Sequence, residues 1–110
     1  MKAREVVDRY VARANARDVD ALMQLFAEDA VVEHETGRFE GRDAIRGLYA
    51  DVILPINPQM GVAAYEDRAD GCRVVFETTT DAFPGQTLRV VDRFLLDDDD
   101  RIAHLHITVE

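Results

Sequence analysis

Four side chains, Tyr10, His34, Tyr49 and Asp92, combine a type that can handle protons with a position that points away from water. His34 stands in VVEHETG, Val31 to Gly37, between Glu33 and Glu35. In an extended segment side chains alternate, so His34 shares the inward side of Val32, while Val31, Glu33 and Glu35 take the other. An imidazole takes up protons near neutral pH without further tuning, which makes His34 a candidate general base; a structural, hydrogen-bonded histidine is the other reading. In RVVDRF the same alternation puts Asp92 on a face with Leu88, Val90, Phe94 and Leu96, and puts Arg89, Val91, Arg93 and Leu95 opposite. A carboxyl on an apolar face loses hydration, its pKa rises, and at pH 7 it becomes a neutral hydrogen-bond donor. Ionisation with a nearby arginine or helix end as partner is the other state open to it. Tyr10 and Tyr49 each fall in the apolar stripe of a helix, where a buried hydroxyl must find a partner, a backbone group being the usual one.

His104 and His106 occupy alternate positions of the last apolar segment, on its more polar side. A two-residue spacing can chelate zinc, but His34 faces inward and no third ligand is identifiable, so no metal site is expected and an outer sheet face or an oligomer interface suits the pair. Asp97 to Asp100 reads as a solvated hairpin tip, because calcium loops space their ligands.

The elements that must position these residues follow from hydrophobic period. Val6, Val7, Tyr10, Val11 and Ala14 define a first helix; Asp18 caps a second, with Val19, Leu22, Met23 and Phe26 in its stripe. Val31 to Glu35 with the turn at Thr36-Gly37-Arg38 predicts a strand or small hairpin. A third helix begins at Gly41 or Asp43, carries Ile45, Leu48, Tyr49 and Val52, and ends before Pro55 and Pro58. The period then becomes two, with strands near 60–68, 72–82, 86–97 and 101–109 joined by turns at Asp70-Gly71, Pro84-Gly85 and the aspartate run. Three helices covering one face of a curved antiparallel sheet is an α+β plan.

At 110 residues, 47% of them hydrophobic, the chain suits one domain over residues 1–110, with one core and one small pocket. Thirteen basic against 22 acidic residues give a formal charge of −9, which disfavours nucleic acid and anionic membrane as partners. The apolar runs are too short to span a bilayer, and the opening MKAREVVDRY lacks a secretory pattern, so a cytoplasmic location is expected. Cys72 alone makes neither a disulfide framework nor a cysteine-based zinc cluster.

Three segments carry a family likeness. RYVARANARDVDALMQLFAEDAVVEHETG, from Arg9 to Gly37, resembles the opening of the bacterial ketosteroid isomerases, GRDAIRGLY (41–49) resembles the third helix of the wider NTF2-like superfamily, and RVVDRF (89–94) resembles the strand bearing the isomerases' aspartic acid. The resemblance implies an NTF2-like cone with one pocket, a homodimer formed through the outer sheet face, and no cofactor. It implies that Tyr10 and Asp92 donate to a substrate carbonyl and hold an enolate, with Tyr49 supporting Tyr10; in the isomerases the aspartic acid is kept neutral by its apolar site. His34 stands where the isomerases have an aspartate base, and its conjugate acid would be a cation beside a developing enolate. The pocket is expected to be lined by Phe26, Val32, Val90, Phe94, Leu105 and Ile107 and to take a small hydrophobic or carbonyl-bearing ligand. Val74, Phe76, Thr78 and Thr80 share a face that is more polar than a steroid prefers, which suits a smaller or more oxygenated molecule. The SnoaL-like relatives of the same superfamily imply the alternatives of a polyketide cyclase or an epoxide hydrolase. A non-catalytic ligand-binding or dimerisation domain is the remaining one.

Overall fold

The computed structural model describes residues 2–110. Ala3, Val6, Val7, Tyr10 and Ala14 recur at helical spacing and form the buried stripe of α1 (Lys2–Asn15). The helix stops in a Schellman closure: Arg17 N–H donates to Ala14 O and Asp18 N–H to Arg13 O, each at 3.0 Å, with Arg17 at φ 57°. The Asn15 amide then ties this end to the sheet, donating to Met60 O at 3.0 Å and accepting from Met60 N–H at 2.8 Å. Asp18 caps α2 (Val19–Met23) by accepting from Ala21 N–H.

Phe26 does not extend the α2 stripe as its spacing predicts. It opens β1 (Phe26–His34), because Ile102 N–H donates to Leu25 O at 2.8 Å and sheet pairing captures the chain there. Glu35 and Thr36 turn β1 into β2 (Gly37–Glu40). Gly41, at φ 85°, leads into α3 (Arg42–Leu48), which runs on as a π-helical turn over Tyr49–Ile53 and a 3₁₀ turn over Leu54–Ile56 that contains Pro55.

The strands β3 (Gln59–Arg68), β4 (Gly71–Thr79), β5 (Leu88–Leu96) and β6 (Ile102–Val109) form the expected meander. The sheet has six strands in the order β2-β1-β6-β5-β4-β3. The sequence predicts an antiparallel sheet throughout, but β1 and β6 run parallel. No hairpin joins them; α3 and the whole meander lie between, so no tight turn dictates their direction. Their register slips between Phe26 and Val31, and the Arg42 guanidinium donates twice to Phe26 O, at 3.0 and 2.6 Å, at the start of the slip. The aspartate run is the β5–β6 tip, where the Asp97 carboxylate accepts from the N–H groups of Asp99 and Arg101.

α1 packs on β3 and β4, α3 on β1 and β2, and α2 between the two helices, giving an α+β cone whose curved sheet is covered on one face. Aromatic rings fill the space beneath: Tyr10 lies 5.3 Å from Phe94, 6.3 Å from Phe76 and 6.1 Å from Tyr49, and Phe26 lies 6.0 Å from Tyr49, centroid to centroid.

Candidate functional site

Strand register brings the proton-handling residues together. β5 pairs Asp92 with Ile107 of β6 and with Val74 of β4. The β1–β6 register pairs Val32 with Leu105 and Glu33 with His106, so His34 is next in line with Ile107. His34, Ile107 and Asp92 thus form a row across the sheet, and two strand spacings separate the outer members by roughly 10 Å at the backbone. All three line a cavity of about 350 Å³ that Tyr10 also lines.

Asp92 is 2% exposed, and its Oδ1 is buried with no partner among the described residues. Burial pushes its pKa up to about 8, so the carboxyl is mostly protonated at pH 7 and can donate. Of the two states open to Asp92 in the sequence, the pairing with arginine is not the one formed: Arg89 and Arg93 alternate onto the opposite sheet face, where Arg89 bonds Glu110. Tyr10 and Tyr49 are buried, and their hydroxyl oxygens lie 2.5 Å apart. Burial, then Tyr49 and Asp92, hold the Tyr10 phenol well above its ordinary pKa, and burial likewise raises that of Tyr49, so both stay protonated. Either hydroxyl can donate in this bond; when Tyr49 donates, the Tyr10 proton is free for an acceptor in the cavity.

His34 is half-buried at the end of β1, and burial lowers its pKa against a smaller opposing effect of Glu35. Its Nδ1 accepts from Thr36 N–H at 3.2 Å and lies 2.9 Å from Thr36 Oγ1. A nitrogen that accepts from a backbone N–H carries no proton, so these contacts assign the ring proton to Nε2. Glu35, expected on the outer side, also lines the cavity, because the strand ends at His34 and alternation ends with it. Glu33 does lie outside: its carboxylate bonds His104 Nε2 at 2.7 Å. The three histidines therefore do not converge.

The cavity wall differs from the expected lining. Val90 and Ile107 are on it; Phe26, Val32, Phe94 and Leu105 are not, and each is at most 1% exposed within the closed core. The Tyr10 ring closes over Phe94 and the Tyr49 ring over Phe26, while Val32 and Leu105 pair one layer below His34 and Ile107. Their places are taken by residues that sequence period did not mark: Ile53 and Ile56 from the turns after α3, Met60 of β3, and Phe83. Val52, expected on the inward stripe of the third helix, is 39% exposed on the cavity wall, with Phe83 at 49% and Val109 at 40%. The π-helical turn shifts the side-chain phase after Tyr49. One signal could have found Phe83: it is an aromatic residue in the otherwise polar turn DAFPGQT.

A SnoaL-like domain model matches residues 7–105. A candidate polyketide cyclase from Sinorhizobium meliloti is 29% identical, with 94% of each chain covered and a TM-score of 0.85. SalBIII, an epoxide hydrolase/cyclase-like enzyme of pyran-ring formation in the polyether salinomycin, superposes with a TM-score of 0.83 at 24% identity, over 99% of this chain and 91% of that one. A candidate ketosteroid isomerase from Kribbella flavida gives 0.85 at 18% identity, over 99% and 78%. The last two likenesses are of fold. The chain belongs to the SnoaL-like domain family, and its fold is the one seen in NTF2-like proteins.

Proposed function

We propose that this chain is a cofactor-independent enzyme of the ketosteroid isomerase type, moving a proton next to a carbonyl group of a small, largely apolar ligand. The observation that carries the reading is Asp92: a carboxyl whose buried Oδ1 has no partner among the described residues and whose pKa burial raises, on the wall of a mostly apolar cavity that Tyr10 also lines. Donors fixed in a dry site stabilise an enolate oxygen more than a neutral carbonyl, so they act on the transition state. Tyr10 and Asp92 are those donors, and Tyr49 orients Tyr10 through its hydroxyl.

His34 is the proton carrier. Because its Nε2–H form is a donor, abstraction uses the other tautomer, with Nδ1–H donating to Thr36 Oγ1 and Nε2 open to the substrate carbon. That tautomer gives up the bond from Thr36 N–H, about 1 kcal/mol at an exposed turn. The same neutral carboxyl could instead protonate an oxygen during ring closure or epoxide opening, a reading favoured by the 29% identity to the candidate polyketide cyclase. Products separate the two: isomerisation conjugates an enone, whereas epoxide opening consumes water.

The test is the rate of enone formation from a panel of β,γ-unsaturated ketones. Asp92→Leu and Tyr10→Phe should each lower turnover by about 100-fold to 1000-fold. Variants as fast as the parent chain would sink the donor assignment. A ligand-binding domain without catalysis would turn over none of the panel, and its affinity for phenolates would not depend on Asp92.

A further inference from the structure

Among the described residues, the buried side-chain atoms left without a hydrogen-bond partner are Asp92 Oδ1 and Thr80 Oγ1, and both residues line the same cavity. Asp92 is accounted for by the donor role above. Thr80 is not: it is 8% exposed, lies just beyond the end of β4, and has no place in the proton transfer. It is anchored where it stands, since the N–H of the following residue, Asp81, donates to Ile56 O at 2.7 Å and fixes this segment against the turn after α3. A buried hydroxyl with no partner in the protein costs free energy unless something in the cavity bonds it.

Register gives the separation of the two orphans. Asp92 lies beside Val74, and Thr80 is six residues further along the same chain, so roughly 20 Å of strand runs between them. The wall between is Phe76 beside Val90 and then Thr78 beside Leu88, apolar first and polar again toward the far end. A ligand filling this space meets donors at one end, hydrocarbon in the middle, and at the other the Thr80 side chain, whose buried Oγ1 a χ1 rotation turns to the cavity to donate or accept.

We infer that Thr80 forms a second polar subsite and that the substrate is an elongated, mainly hydrocarbon molecule with oxygen at both ends: the reacting carbonyl at Asp92 and Tyr10, and a hydroxyl or carbonyl at Thr80. The inference rests on the reading of Asp92 and Tyr10 as the oxygen-binding end. It makes Thr80 a specificity residue, selecting ligands by the presence of a remote oxygen and leaving the proton transfer itself to the other end.

Rigid phenols of increasing length test this directly: 2-naphthol, 4-phenylphenol and 4-hydroxystilbene, each titrated against its counterpart with a second hydroxyl at the far end. Binding is followed by calorimetry on the parent chain and on Thr80→Val, Thr80→Ser and Asp92→Leu. The parent chain should prefer the diol about fivefold to tenfold at one of the lengths, Thr80→Val should abolish that preference without weakening the monophenol, and Thr80→Ser should retain it. Absence of a diol preference at every length, or its survival in Thr80→Val, overturns the inference. If Asp92→Leu still weakens every probe in that case, the enolate reading stands and the subsite alone falls; if Asp92→Leu weakens none, both fall.

Discussion

Moving the Asp92 carboxyl from water to a position 2% exposed removes the hydration its ionised form needs, and among the described residues no cation offsets the loss. Its pKa is 3.8 in an ordinary setting and about 8 in the fold, so between those values the folded chain holds a proton that the unfolded chain has released. The stabilisation is full below the lower value and is lost as pH rises through the window toward the upper one. Asp92→Asn cannot titrate, and its stability should vary less with pH than the parent's, by up to about 1.4 kcal/mol per pH unit. Urea unfolding at pH 5, 6, 7 and 8 checks this, and parallel profiles for the two chains would contradict it. Asp92 was legible in the sequence because strand alternation is local and strict. The tautomer of His34 was not, because it depends on where a turn aims Thr36.

Among the elements, the α1–α2 junction holds a local conflict. Arg17 occupies the left-handed position of the helix closure at φ 57°, where a side chain clashes with its own backbone. Its guanidinium donates to Asn15 O at 2.8 Å in an exposed setting, which recovers little. Arg17→Gly should therefore stabilise the chain by about 1 kcal/mol, read as a higher denaturation midpoint. A lower midpoint would show that the Arg17 contact outweighs the strain. The segment after α3 was legible only in part. Its apolar spacing foretold Ile45, Leu48 and Tyr49 inside, but the wider π-helical turn then carried Val52 to the cavity wall.

Across the whole molecule, the sheet depends on backbone contacts between distant segments. Asp70-Gly71 reads as an ordinary turn, yet a Cβ added at Gly71 would lie 1.8 Å from Phe94 O, where β4 crosses β5. Gly71→Ala must push the two strands apart and should cost at least roughly 1–3 kcal/mol, the range for overpacked sites. Equilibrium unfolding measures it; a loss within 0.5 kcal/mol, the size of ordinary surface substitutions, would mean the strands part freely there.

Local periodicity alone determined the three helices, the four-strand meander and the inward positions of Tyr10, Tyr49 and Asp92, because a period of 3.6 or 2 constrains each residue through its near neighbours. The tertiary structure decided what depends on distant pairing. It set β1 parallel to β6 and thereby aligned His34 with Asp92, drew Phe26, Val32, Phe94 and Leu105 into the closed core, and left Thr80 on the cavity wall with a buried, unpartnered hydroxyl. Registers between distant strands and the closing of rings over a core are settled by packing in three dimensions, which no local pattern encodes.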